Sequence, residues 1–163
     1  MEFKQASEIY SLNKSTYVNL RWIGILGQLI TINSVKFIFN FDFDFLSANL
    51  IIFIGAISNI FLITNYKKIQ LSNISAFYFL LIDIIQLSLL LFLTGGIANP
   101  FSIFLLIPSV FASSNLKIKT NLLLIFVTLI SIIFLTFFSL DLPKPLSDHF
   151  HISPYYYYAI PTG

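Results

Sequence analysis

The stretch LTGGIANPFSIF, Leu93 to Phe104, interrupts a chain that is otherwise dominated by Leu, Ile and Phe. Two glycines, an asparagine and a proline fall between residues 95 and 100. Asparagine is a favourable N-cap and proline a favourable first helical residue, so Asn99 and Pro100 predict the start of a helix. The stretch therefore predicts a break between two apolar helices.

The composition excludes an ordinary soluble domain. Of 163 residues, 57% are hydrophobic and only 10% are charged, whereas soluble domains carry about 25% charged residues. The net charge is only +2, and the basic residues do not form a cluster, so we expect no nucleic-acid partner. The chain has no cysteine, which excludes disulfides, thiolate metal sites and cysteine nucleophiles from these residues.

On both sides of the break, the apolar runs are long enough to cross a membrane. A spanning helix needs about 20 apolar residues, and lipid does not tolerate unpaired backbone amides, so such runs must be helical. The predicted spans are Leu20–Phe39, Phe45–Tyr66, Ala76–Leu93, Pro100–Asn115 and Asn121–Leu140. We predict an all-α fold, a polytopic membrane helix bundle of five transmembrane helices.

Positive charge is distributed unevenly over the connecting segments, and positive segments stay in the cytoplasm. The positive residues before the first span and after the second and fourth are Lys4, Lys14, Arg21, Lys67, Lys68, Lys117 and Lys119. Loops 40–44 and 94–99 contain no Lys or Arg. We therefore expect a cytoplasmic N-terminal segment (1–19), a transmembrane bundle (20–140) and an outer tail (141–163).

The tail contains a run of four tyrosines, 155–158. Clustered tyrosine is typical of the membrane–water interface, so we expect the tail to lead to a sixth helix that residues 1–163 do not include. His149 and His151 have no accompanying ligand set, so we expect no metal site. A contribution of these two imidazoles to a ligand pocket stays open.

Three polar side chains within the predicted spans are candidates for coupling. Asp83 and Gln86 are three residues apart on one helical face, and Gln28 lies in the first span. An ionised carboxylate at this depth costs about 2.5–3.5 kcal/mol, so Asp83 must face other helices, be protonated or pair with a cation. Two interpretations stay open: a group that responds to protons or a ligand, and interhelical hydrogen bonding.

Other residues of the first span are interpreted as structural. Arg21 and Trp22 predict an anchor at the inner headgroups. Gly24 and Gly27 predict close approach of a neighbouring helix. Lys36 predicts a side chain that reaches the outer interface.

The fourth span is short. Residues 101–116 form about 24 Å of α-helix, against a hydrocarbon core of about 30 Å. The preceding loop would then lie at the edge of the apolar layer, where irregular backbone needs protein or a cavity beside it. The glycine backbone at 95–96, the Asn99 amide and the Phe101 ring suit a flat quinone head group. The alternative is a tight turn in which the glycines supply the dihedral angles.

Three motifs, taken in chain order, resemble a known family, the RegB/PrrB/ActS redox-sensing histidine kinases. Residues 95–101 match its GGxxNPF motif at all five specified positions. Residues 21–28 (RWIGILGQ) resemble its LRW…GQ first helix, and residues 83–96 (DIIQLSLLLFLTGG) resemble its third helix running into the motif. The resemblance covers essentially the whole chain.

The resemblance implies the membrane sensor region of a two-component sensor histidine kinase in the bacterial inner membrane, with GGxxNPF on the periplasmic side. It implies ubiquinone, or another quinone, bound by Gly95, Gly96, Asn99, Pro100 and Phe101, with no metal. It also implies a homodimer and a response regulator addressed through a cytoplasmic kinase core. Residues 1–163 contain no H-box and no ATP-binding motif, so we do not expect them to be catalytic by themselves.

Three alternative functions stay open. A small transporter or channel subunit would use Asp83 and the broken connection to line a pathway, although the spans show no inverted repeat. An intramembrane enzyme would need a nucleophile with its base or a metal cluster, and the predicted spans contain no histidine. A passive membrane anchor or a gene remnant would need no site.

Overall fold

The chain folds into a helical bundle in the computed structural model, which describes residues 12–145. The α-helices are α1 (Lys14–Phe37), α2 (Phe45–Asn65), α3 (Asn73–Leu93), α4 (Ile107–Asn115) and α5 (Ile118–Phe137). Two 3-10 helices, Gly96–Ala98 and Pro100–Leu106, separate α3 from α4. The two-residue strands are β1 (Leu12–Asn13), β2 (Phe41–Asp42), β3 (Gln70–Leu71) and β4 (Lys144–Pro145). The predicted all-α class is confirmed.

Three helices, α2, α3 and α5, are long and apolar enough to cross a membrane. Helix α1 is 24 residues long but carries Lys14, Arg21 and Lys36 and is not among them. The fourth predicted span, Pro100–Asn115, is apolar but shorter. Three of the five predicted spans therefore have the length and hydropathy of membrane helices, and five spans are not confirmed.

Short polar side chains cap three of the helices. Asn13 accepts from the amides of Ser15 and Thr16 at the start of α1, and Ser72 caps α3. Asp44 caps α2 by accepting from the Ser47 amide at 3.1 Å. Hydrogen bonds from the side chain and the backbone of Ser47 lower the pKa of the Asp44 carboxyl, so the cap is ionised and complements the helix dipole.

Helix α3 is the centre of the bundle. Helices α2, α4 and α5 pack directly against it, and α1 packs mainly on α2. The larger core cluster contains fully buried Leu62, Leu80, Leu105 and Leu124. Because α1 lies closer to α2 than to α3, an open space remains between α1 and the segment that contains α4.

The two strand pairs gather the connections at opposite ends of the bundle. At one end β1 pairs antiparallel with β3, and the Lys117 amide donates to Asn73 Oδ1 at 2.9 Å. At the other end β2 pairs antiparallel with β4, and the Leu140 amide donates to the Phe92 carbonyl at 2.9 Å. Alternate connections therefore lie at opposite ends, as in an antiparallel bundle.

Large apolar side chains cover much of the outer surface. Phe53 and Phe61 on α2 and Phe126 and Ile133 on α5 are all more than half exposed. Soluble monomers rarely expose apolar surface on this scale, whereas lipid is a favourable solvent for it. Together with the three apolar helices, this surface indicates a membrane protein.

Candidate functional site

A cleft of about 670 Å³ lies between α1 and the 100–111 segment, with α3 as its floor. Ligand pockets typically enclose about 300–1,000 Å³ and are mostly apolar with a few placed polar groups. The wall includes Tyr17 and Val35 on α1, which are about 27 Å apart along a helix. The cleft therefore runs most of the length of the bundle.

Gly24 and Gly27 form part of the α1 wall. A Cβ atom added at either would meet nothing within 4 Å. The prediction that these glycines allow a neighbouring helix to approach is therefore wrong, because they face the cleft and widen it. The close approach is at Gly55 of α2, where a Cβ would lie 2.6 Å from Gln86 Oε1.

At the end of the cleft beside β2 and β4, which is termed the outer end, Gly95 and Gly96 turn the chain with positive φ values of +104° and +57°. A Cβ on Gly95 would lie 2.5 Å from Leu142 Cδ1, and a Cβ on Gly96 2.5 Å from Ser139 Oγ. Both glycines are thus required by the dihedral angles and by close packing. They face the 135–142 segment and are not among the residues of the cleft wall.

Asn99, Pro100 and Phe101 do line the outer end of the cleft. Asn99 is the N-cap, as predicted, and accepts from the Phe101 amide at 2.9 Å. Its Nδ2 donates to the Thr94 carbonyl at 3.0 Å and to Thr94 Oγ1 at 2.9 Å. The Asn99 side chain therefore holds the turn closed, while Phe101 is 42% exposed beside the cleft.

The segment after this rim begins as a 3-10 helix and becomes α-helical at Ile107. Pro108 explains the change, because it has no amide to donate to the Phe104 carbonyl and its ring clashes there. The Ile107 amide donates to Phe104 instead. Pro108 therefore marks the change in helix type.

The opposite end of the cleft, beside β1 and β3 and termed the inner end, contains a polar cluster of Tyr17, Arg21, Ser58 and Asp83. Arg21 Nε donates to Asp83 Oδ1 at 2.9 Å, and Nη2 lies 2.8 Å from the same oxygen and 3.1 Å from Ser58 Oγ. The Tyr17 hydroxyl donates to Asp83 Oδ2 at 2.5 Å. The expectation that Asp83 pairs with a cation or faces other helices is confirmed.

The interpretation of Arg21 as a headgroup anchor is wrong. Arg21 is only 6% exposed. Its guanidinium carbon lies 5.5 Å from the centroid of the Tyr17 ring and 5.7 Å from the centroid of the Phe79 ring. Arg21 pairs with Asp83 of α3 instead of lying at the headgroups. An unpaired Asp83 in the apolar interior would cost several kcal/mol, and the ion pair avoids this cost.

Gln86 and Gln28 meet between the two ends of the cleft. Gln86 Nε2 donates to Gln28 Oε1 at 2.8 Å across α3 and α1. This contact agrees with the interhelical hydrogen bonding predicted for Gln86. Lys36, at the outer end of α1, lies 3.6 Å from Asp42.

Sequence reasoning missed Tyr17 and Thr94. Tyr17 precedes Arg21 by one helical turn and therefore shares its face, which was an available signal. Thr94 gave no local signal, because its role depends on the turn that brings Asn99 back to it.

His149, His151 and the tyrosine run lie outside the described residues. Within residues 12–145 there is no group of three or more His, Asp or Glu side chains that could hold a metal ion.

The fold and the cleft define a helical bundle with the apolar surface of a membrane protein and with a polar cluster buried among its helices. The chain is similar to the sensor histidine kinase RegB of Cereibacter sphaeroides, at 29% identity over 128 residues. The match covers 78% of this chain but only 28% of the relative. No family model and no solved structure matches the chain.

Proposed function

We propose that the chain is the membrane sensor region of a redox-responsive histidine kinase and binds a quinone in the cleft between α1 and the 100–111 segment. The observation that carries the proposal is the cleft itself, which is largely apolar along its length and polar at its inner end. Its outer rim contains Asn99, Pro100 and Phe101 of the GGIANPF stretch. The similarity to RegB supports the class of protein.

In this proposal the GGIANPF stretch contributes to quinone binding in two ways. Asn99, Pro100 and Phe101 contact the quinone at the rim, and the Phe101 ring stacks on its ring or early isoprenoid units. Gly95 and Gly96 act through the backbone, since their tight packing holds the rim in position. The ligand is ubiquinone or a related quinone.

The proposed topology has five spans in a bacterial inner membrane, with the N-terminus in the cytoplasm. Among residues 12–145 the β1–β3 end contains only positive charge, whereas the other end contains both signs. The first set is Lys14, Lys67, Lys68, Lys117 and Lys119; the second is Lys36, Asp42, Asp44, Asp141 and Lys144. Positive charge is retained in the cytoplasm, which supports an inner β1–β3 end.

Signalling in this proposal is a shift between two helix arrangements that bind oxidised and reduced quinone differently. The cleft suits such a shift, because α1 and the 100–111 segment face each other across it and change their separation when it fills. The output passes, in a homodimer, to a cytoplasmic kinase core and its response regulator.

Filling the cleft tests the proposal. Gly24→Leu and Gly27→Leu place a side chain in open space, so we expect both proteins to fold, with a helix up to about 1 kcal/mol more favourable. We expect the affinity for decylubiquinone to fall about tenfold or more. The measurement is saturable quenching of Trp22, the only tryptophan, in lipid nanodiscs.

Ile30→Phe is the matched control, because Ile30 is 64% exposed on α1 and is not part of the cleft wall. Its affinity should equal that of the unmodified chain. If the two glycine variants fold and retain full affinity, the quinone does not bind in this cleft. The absence of saturable binding in the unmodified chain would rule out the proposed function and leave a transporter subunit and a passive anchor as the alternatives.

A further inference from the structure

Four exposed lysines gather on one surface at the β1–β3 end of the bundle. They are Lys67 and Lys68, between α2 and β3, and Lys117 and Lys119, at the junction of α4 and α5. Asn73 joins the two segments, because its Oδ1 accepts from the Lys117 amide at 2.9 Å and its Nδ2 donates to Thr120 Oγ1 at 2.6 Å. Lysines that are far apart in the sequence therefore form a single basic surface.

No acidic side chain of residues 12–145 balances this surface. Asp42, Asp44 and Asp141 lie at the β2–β4 end, and Asp83 is paired with Arg21. Lys14, the fifth lysine of the inner end, is engaged elsewhere, since its Nζ donates to the last carbonyls of α2. The other four lysines take part in no ion pair among the described residues, so the surface is positive without a local counter-charge.

Large apolar side chains stand among these lysines. Ile69 and Ile118, each next to a lysine in the chain, are 77% and 71% exposed. Each lies two positions from a leucine that is almost completely buried, Leu71 in the first segment and Leu116 in the second. The leucines hold both segments on the core, so the outward position of the isoleucines belongs to the folded surface.

We infer that this surface binds the headgroups of anionic phospholipids in the leaflet that it faces. Lysines near a membrane surface attract acidic lipids, and apolar side chains beside them enter the boundary between headgroups and acyl chains. A phospholipid offers a phosphate and hydrocarbon in one molecule, whereas inorganic phosphate or an acidic soluble partner matches only the lysines. The surface shares no residue with the cleft, so lipid binding is independent of the quinone.

The test measures the lipid preference of the full 163-residue chain in phosphatidylcholine bilayers that contain a trace of spin-labelled lipid. Electron paramagnetic resonance separates lipid held at the protein from bulk lipid. One lysine near the surface corresponds to about fivefold in affinity, so we expect phosphatidylglycerol to be preferred over phosphatidylcholine by about fivefold or more. The Debye length falls from about 10 Å in 0.1 M salt to about 3 Å in 1 M salt, and the preference should shrink several-fold over this range.

Two double variants and their combination locate the preference. Lys67→Gln with Lys68→Gln, and Lys117→Gln with Lys119→Gln, change exposed side chains, so we expect folded proteins with a reduced preference. The quadruple variant should bind both lipids about equally. The matched control is Lys36→Gln with Lys144→Gln at the other end, where Asp42 lies 3.6 Å from Lys36 and in register with Lys144. It should retain the preference.

A folded quadruple variant that still prefers phosphatidylglycerol overturns the inference, and so does a control that loses the preference. Where the quadruple variant does not fold, the two double variants decide in the same way. Replacing chloride with inorganic phosphate at equal ionic strength should change nothing, and a lost preference there would show that the surface binds phosphate ions rather than lipid. None of these measurements involves a quinone, so their failure leaves the proposed function standing.

Discussion

Gly96 shows how tightly the turn of the GGIANPF stretch is specified at the level of single residues. Its φ is +57°, and an added Cβ would lie 2.5 Å from Ser139 Oγ and 2.7 Å from the Leu135 carbonyl oxygen. The carbonyl belongs to α5 and cannot move aside as a side chain can. Gly24, by contrast, stands in a regular helix with open space in front of it.

We expect Gly96→Ala to destabilise the chain by about 2–5 kcal/mol. About 1–2 kcal/mol comes from the left-handed backbone conformation and about 1–3 kcal/mol from overpacking against α5. The measurement is thermal unfolding in detergent, followed by Trp22 fluorescence.

Gly24→Ala is the matched control, since a helical glycine with free space gains up to about 1 kcal/mol on substitution by alanine. Equal stability of the two variants would show that Gly96 is neither strained nor closely packed.

At the scale of elements, the 100–115 segment is longer than an α-helix of the same number of residues. Seven of its residues form a 3-10 helix, which rises about 2.0 Å per residue instead of about 1.5 Å. The segment therefore gains about 3.5 Å, and the turn lies nearer the β2–β4 end of the bundle than an all-α helix would place it. The fourth helix therefore falls short of the hydrocarbon thickness by about 3.5 Å less than the sequence predicts. The cleft still lies beside the turn.

Pro108→Ala should convert much of the 3-10 helix to α-helix, because the new amide can donate to the Phe104 carbonyl. We expect the distance between spin labels at Ala98→Cys and Ser114→Cys to shorten by about 3 Å. Pulsed electron paramagnetic resonance measures this distance directly, and the chain has no native cysteine to interfere.

Pro100→Ala is the control for this pair, since the first helical residue has no intrahelical amide bond to make. Its label distance should not change. A Pro108→Ala distance equal to that of the parent would mean that contacts with α3, rather than Pro108, maintain the 3-10 geometry.

At the scale of the whole molecule, the two ends of the bundle differ in charge and the proposed orientation follows from that difference. Ala98 is exposed at the turn and Ser72 at the β1–β3 end. We expect Ala98→Cys to react with an impermeant maleimide added to intact cells and Ser72→Cys to react only after lysis. The reverse pattern would invert the topology, and labelling of both positions from outside would exclude an odd number of spans between them.

The sequence by itself determined the helices and the signals at their ends. Apolar runs, the Asn99 N-cap and the Pro100 start are local features, because a helix and its cap are formed by residues only a few positions apart. It also indicated that Asp83 needed a partner, since an isolated carboxylate in an apolar span is costly.

Only the tertiary structure decided which partner that was, which glycines were packed and where a ligand has room. Arg21 and Asp83 are 62 positions apart, Gly95 packs on Leu142, and Gly24 faces a cleft rather than a helix. Helices that are apolar on nearly every side carry little directional information about their neighbours. Their contacts are selected by packing among distant segments, so the cleft and the Arg21–Asp83 pair form only when the bundle is assembled.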